Sequence, residues 1–227
     1  MDAGLTPLWI SLKTSLLATF ITFFIGIGSA YLVANYNGKW RGLIDSLFTL
    51  PLVLPPTVLG FFLLLIFGKN GPMGKLLEMM NTSIIFTWSA TVIAAVVVAF
   101  PMMYRSARSA FEQIDTNLIE AAKTLGLSNW KIFHKIAIPL AWPGIIGGVV
   151  LSFARALGEF GATLMIAGNI PGRTQTMPVA IFFAVESGDM NKAMLWVLII
   201  VAISFIMIFL LNYWCDTQQK LIGNRGR

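Results

Sequence analysis

Residues able to carry acid–base, nucleophilic or metal chemistry are scarce in this chain of 227 residues. A single histidine, His134, and a single cysteine, Cys215, argue against an internal disulfide framework, most zinc sites and His-based triads. His134, beside Lys135, reads as a polar contact, and Cys215 as a small apolar residue. Three Gly-Lys pairs, at Gly38, Gly68 and Gly74, lack both the upstream glycine and the following Ser or Thr of a phosphate-binding loop. What remains is Arg155 and Glu159, at i and i+4 in Phe153-Ala-Arg-Ala-Leu-Gly-Glu-Phe-Gly-Ala-Thr163, a spacing that lets them pair on one helix face. In an apolar setting such a pair either belongs to a pathway or gate, with Thr163 close by, or neutralises itself as a structural contact. An intramembrane enzyme would need a further constellation of this kind, and none stands out, so the chain is not expected to be an enzyme.

The elements that hold these residues follow from the composition. Apolar residues make up 57% of the chain and charged ones 11%, against the ~25% charged residues of an ordinary soluble domain. A bilayer-spanning helix needs roughly 20 mainly apolar residues. Five uncharged stretches meet that need: Thr14 to Gly38, Ser46 to Gly68, Met79 to Tyr104, Ile136 to Ala154 and Ala193 to Cys215. The expected fold is an all-α integral membrane protein of five transmembrane helices, with residues 1–227 forming one transmembrane domain. Two shorter gaps, Phe160 to Gly172 and Thr174 to Val185, are too short to cross and read as re-entrant or surface structure buried against protein or lining water. Trp40, Trp142 and Trp214 are candidate interface anchors.

The net charge of +6 reads as membrane orientation rather than affinity for nucleic acid. With five spans, one face holds Lys39, Arg41, Arg105, Arg108, Lys123, Lys131, Lys135, Lys220, Arg225 and Arg227, and the other Lys13, Lys69, Lys75, Arg173 and Lys192. Because cytoplasmic segments carry the basic excess, the amino terminus is expected outside and the carboxyl terminus in the cytoplasm. The Met-Asp-Ala-Gly start has no basic region before its apolar run, so span one is expected to remain rather than be cleaved as a secretory signal.

Two segments stand out for function. Span two carries Pro51, Pro55 and Pro56 before Thr57, which predicts either a kinked helix along a pathway, with Thr57 as a polar contact, or a packing kink. For Gly147-Gly148, close helix packing is expected. The inside loop 105–135 predicts two short helices separated by a glycine turn. Asn117 with Glu120 has capping-box spacing, Gly126 suits a left-handed stop, Ser128 caps the second helix, and Pro139 interrupts it. Leu118, Ala121, Ala122 and Leu125 fall on one apolar stripe, suited either to lipid headgroups or to docking a partner.

Glu120-Ala121-Ala122, followed after three residues by Gly126 and after nine more by Ile136-Ala137-Ile138-Pro139, closely resembles the EAA loop of permease subunits in bacterial ABC importers. That family's pattern ends in Leu-Pro where this chain has Ile138-Pro139. The resemblance implies a type I importer permease core, with a short cytoplasmic coupling helix at about Thr116 to Leu125 that sits in a groove of a separate ATPase. Glu120, Ala121, Ala122, Leu125 and Gly126 would form the coupling element. Phe153 to Thr163, Ala167 to Gly172, Thr174, Thr176, Pro178 and Pro51-Leu-Val-Leu-Pro-Pro56 further resemble the molybdate permeases of that family.

This likeness implies a permease that translocates molybdate across the bacterial cytoplasmic membrane. Its partners would be a second copy of itself, two ATP-binding subunits and an extracytoplasmic molybdate-binding protein, in the lipid bilayer and without nucleic acid. Pro55, Pro56, Thr57, Arg155, Glu159 and Thr163 are the pathway candidates. The chain itself would bind no cofactor or metal; ATP and Mg would be used by the partner ATPase. Sulfate and thiosulfate permeases share a related Arg-x-x-Gly-Glu-x-Gly segment, so a sulfate, thiosulfate or tungstate permease is the alternative, and an ATP-independent channel a more remote one.

Overall fold

The structure is a computed structural model that describes residues 4–223, with the side chains of 4–210 and 213. The side chains of Trp214, Cys215 and Lys220, the termini with Arg225 and Arg227, and the Met-Asp-Ala start lie outside the described set. Among the described residues every regular element is helical: α1 (Thr6–Ala34), α2 (Arg41–Val53), α3 (Pro56–Phe67), α4 (Pro72–Met79), α5 (Trp88–Glu112), α6 (Thr116–Thr124), α7 (Asn129–Ile132), α8 (Ile138–Leu157), α9 (Gly161–Ala167), α10 (Met177–Glu186) and α11 (Met190–Gly223). A π-turn over Phe133–Ala137 joins α7 to α8, so Asn129–Leu157 is one helix that absorbs Pro139 instead of being interrupted by it. Among the described residues, apart from the broken pair α2–α3, four helices are long and apolar enough to cross a membrane: α1, α5, α7–α8 and α11 through Leu210.

The centre of the bundle is α5, and small side chains make it so. Ala90, Ala94, Ala95, Val98, Ala99 and Ala107 are buried, which lets α1 and α8 approach it closely. A Cβ on Gly26 of α1 would stand 2.7 Å from Met103 Cγ, one on Gly144 of α8 would stand 2.6 Å from Ala110 Cβ, and one on Gly148 would stand 2.9 Å from Ser106 Cβ. Gly147 meets nothing within 4 Å, so only Gly148 of the Gly147-Gly148 pair is a packing glycine. Buried hydroxyls stay within the apolar slab by bonding locally: Thr19 donates to the Ser15 carbonyl at 2.7 Å and Thr22 to that of Thr19 at 3.0 Å.

Helix direction settles what span two does. Thr14 of α1 bonds Thr91 of α5, and Tyr31 near the other end of α1 packs its ring against Phe111, so α1 and α5 run parallel. The chain must therefore return between them, and α2 and α3 make that return, bent by 114° at their junction. Span two is thus two separate helices rather than one kinked one. A residue before proline is biased toward extended backbone, and Leu54 and Pro55 each precede one. Their ψ angles are 137° and 138°, and Pro56 then starts α3.

The helix α8 runs back antiparallel to α5, with Ser152 bonded to the Ala99 carbonyl at 3.4 Å. The gaps read as re-entrant or surface structure hold α9 and α10, which stay at the end of the bundle where α1 starts. Met177 N–H donates to Ser11 Oγ at 2.7 Å there. The last helix, α11, packs Trp196 against Phe153, Leu157, Met177 and Ala180 and leaves Leu198, Val201, Phe205 and Phe209 exposed on its other side. Trp40 and Trp142 are also exposed.

Candidate functional site

The singled-out residues gather in two places. The first is α6, at the end of the bundle where Lys39, Arg41, Arg105, Arg108, Lys123, Lys131 and Lys135 also lie. The Asp115 side chain caps α6, accepting from Asn117 N–H at 2.9 Å, so Asn117 is within the helix and does not start it through a capping box with Glu120. An acceptor two residues upstream takes the amide first. At the other end Gly126 has φ +78°, and the N–H groups of Gly126 and Leu127 donate to the Lys123 and Ala122 carbonyls at 2.9 and 3.1 Å. These two bonds satisfy the carbonyls a helix end leaves open. Ser128 in turn caps α7 by accepting from Lys131 N–H at 3.4 Å.

Both ends of a helix too short to persist on propensity alone are therefore closed by its own flanks, and its outer face is left free. Leu118, Ala121 and Glu120 are exposed, and Leu125 is 81% exposed. Ala122, placed on this stripe by the sequence, is 4% exposed and faces the bundle. Trp130 extends the exposed apolar surface, its ring 4.0 Å from that of His134. An open groove of about 830 Å³ runs from Asp115 and Leu118 of the α6 region along Ser106 and Ser109 of α5 and Gly144 and Gly147 of α8.

The second place is where two helix breaks meet. The α2–α3 break carries Pro55, Pro56 and Thr57, and the α8–α9 break carries Gly158, Glu159 and Phe160. A Cβ on Gly161 would stand 3.0 Å from Pro56 Cβ, and one on Gly60 would stand 2.9 Å from the Ala162 Cα, so the first turns of α3 and α9 touch backbone to backbone. Glu159 holds this junction. One of its carboxylate oxygens accepts from Arg155 at 2.8 Å and the other from the Ala162 N–H at 2.8 Å. Its side chain is 1% exposed and that of Arg155 is 28% exposed, so the carboxylate is buried and the guanidinium reaches the open side. Pro55 and Thr57 are exposed beside this junction, whereas Thr163 is buried behind it. The pair is neutral, so the junction carries polarity without net charge.

A third cluster had not been assembled from the sequence. Arg41 and Asp45 of α2 meet Tyr104, Arg108 and Glu112 of α5: Arg41 to Glu112 at 2.6 Å, Arg108 to Glu112 at 2.8 Å, Arg108 to Asp45, and the Tyr104 hydroxyl to Asp45 at 3.0 Å. Glu112 is the last residue of α5, just ahead of the Asp115 cap, so the network ties α2 to the base of α6. Its visible trace was two i,i+4 pairs, Arg41 with Asp45 and Arg108 with Glu112. Among the described residues no group of His, Cys, Asp and Glu could hold a metal ion.

Comparison with known proteins gives these regions a context. The chain is 42% identical over 217 residues to the molybdenum transport system permease protein ModB of Escherichia coli K12, covering 94% of each chain. It is 32% identical over 216 residues to the sulfate transport system permease protein CysT of the same organism, covering 95% of this chain and 76% of that one. In fold it is similar to a chain of the MetNI methionine ABC transporter in an inward-facing crystal form, with a TM-score of 0.74 at 18% identity, covering 96% of both. A family model described as the inner membrane component of binding-protein-dependent transport systems matches residues 22–222. The matched span takes in α6, both helix breaks and the network at the base of α5, and the chain belongs to the family of binding-protein-dependent transport system inner membrane components.

Proposed function

We propose that this chain is the permease half of an ATP-driven importer of molybdate. The observation that carries the coupling reading is the exposed face of α6, where Leu118, Ala121, Glu120 and Leu125 stand free on a helix whose two ends are closed by Asp115 and Gly126. A preformed helix that exposes Leu118, Ala121 and Leu125 beside Glu120 at the basic end of a membrane bundle suits insertion into a groove of a separate ATPase. That partner brings ATP and Mg, and this chain brings the pathway. Two copies of the chain with two ATPase subunits and an extracytoplasmic molybdate-binding protein make the working assembly. The α6 end lies in the cytoplasm, and the start of α1 faces outward.

In each copy the junction of Pro55, Pro56 and Thr57 with Arg155, Glu159 and Thr163 acts as the gate region. The groove beside α6 forms part of the inward-open cavity. A tetrahedral dianion buried without opposing charge is costly. The neutral Arg155–Glu159 pair therefore favours passage over retention, and selection falls to the external binding protein. The higher identity to the molybdenum-named relative supports molybdate over sulfate.

The test is uptake of labelled molybdate into vesicles holding the chain, its ATPase and its binding protein. Uptake that requires ATP and is blocked by tungstate but not by sulfate is the expected result. Preference for sulfate overturns the substrate, and uptake indifferent to ATP overturns the coupling.

A further inference from the structure

The end of the bundle opposite α6 carries a second arrangement that neither the gate nor the coupling helix uses. Lys13 of α1 and Arg173 of the α9–α10 loop line one cleft of about 360 Å³, walled by Trp9 and Trp88. Neither cation meets a carboxylate among the described residues. Two like charges sharing a cleft repel each other unless an anion lies between them.

The cleft is also held in place. The Lys13 ammonium stands 3.9 Å from the centre of the Trp88 ring, and the Trp88 indole N–H donates to Thr14 Oγ1 at 2.9 Å. Thr14 in turn bonds Thr91 at 3.1 Å. The Arg173 loop is equally fixed: Gly172 turns it at φ +78°, the N–H groups of Arg173 and Thr174 donate to the Ile170 carbonyl at 3.0 and 2.9 Å, and buried Thr174 accepts from Ile170 N–H at 3.0 Å. The Met177–Ser11 bond fastens the end of this loop to α1 two residues from Lys13.

Depth fits as well. From Lys13 to Ala34 the helix rises about 31 Å at 1.5 Å per residue, close to the roughly 30 Å of a hydrocarbon core. Lys13 therefore lies at headgroup level when the far end of α1 sits at the opposite interface.

We infer that the Lys13–Trp88–Arg173 cleft binds a tetrahedral oxyanion group, either the phosphate of a lipid headgroup or a free dianion at the membrane surface. The inference does not depend on which face is cytoplasmic or on what is transported. The test uses the full-length chain, delipidated in detergent, with no other protein present. Native mass spectrometry measures retention of phosphatidylglycerol against diacylglycerol, which lacks the phosphate, and equilibrium dialysis measures labelled molybdate. Expected is retention of one of these oxyanions, reduced about tenfold in Lys13→Ala and in Arg173→Ala, the size of a lost charge-assisted hydrogen bond, and kept in Lys13→Arg. Retention of phosphatidylglycerol alone assigns the site to lipid, and of molybdate alone to the free ion. Neither ligand held better by the native chain than by the double alanine variant, or an equal loss in Lys75→Ala, overturns the site.

Discussion

The Glu159 carboxylate serves two partners with its two oxygens, Arg155 on one side and the first turn of α9 on the other. Glu159→Ala should therefore leave the buried Ala162 amide without an acceptor and Arg155 without its ion-pair partner, destabilising the chain by roughly 2 kcal/mol, read as a lower unfolding temperature in detergent. Glu159→Gln keeps an acceptor for Ala162 and should lose less, so a variant as unstable as the alanine one would count against the double role. Of this junction the sequence revealed the Arg155–Glu159 pair, because spacing of four residues is local. The bond to Ala162 was hidden, since it depends on the chain breaking at Gly158. Ala122 failed for a related reason: a helical stripe can be read from spacing, but which of its edges turns inward is decided by packing. On the face that does stay free, Leu125→Asp should abolish ATPase docking in pull-down while leaving the fold intact, because its exposed side chain contributes little to the bundle. Unchanged docking would remove α6 as the coupling surface.

The double proline acts on an element rather than on a contact. Each proline biases its predecessor away from the helical region, and where two stand in series α2 and α3 part with a bend of 114°. In a Pro55→Ala/Pro56→Ala variant the extended restriction at Leu54 and at position 55 is lifted. Spin labels on α2 and α3 should then report a more open angle or a broader distance distribution, with transport reduced; an unaltered distribution would show that the α9 contact, not the prolines, sets the bend. The prolines were legible as a disturbance in span two, yet the size of the bend was not, because a kink and a full turn have the same local sequence. The network of Arg41, Asp45, Tyr104, Arg108 and Glu112 lies at the same scale. No residue of α2 is fully buried, so its hold on α5 depends on these polar contacts and on half-buried Ile44 and Phe48, the Phe48 ring lying against Phe100 and Tyr104. Arg108→Ala should cost only about 1 kcal/mol of global stability, as partly exposed pairs do, while hydrogen exchange in α2 rises well above that in α5. Equal protection in both helices would show that apolar packing alone holds α2.

Taken whole, the chain separates its charges by end, with the larger basic group around α6 and the smaller one around the start of α1. In a Cys215→Ser background, a membrane-impermeant maleimide applied to intact cells should label Arg173→Cys and leave Lys123→Cys untouched. The reverse pattern would invert the topology. Four crossings were legible from the gaps between charges, because the bilayer imposes a length that ordinary folds do not. The parallel course of α1 and α5 was not, since it appears only when Thr14 is seen beside Thr91. That parallel course also bears on how the protein is made. Neither α2 nor α3 alone is long enough to span, and the extended peptide between them leaves backbone groups that lipid cannot satisfy. Their packing partners, α5 and α9, emerge from the ribosome later. The second crossing should therefore settle only after both α5 and α9 have been made, later than its own place in the chain.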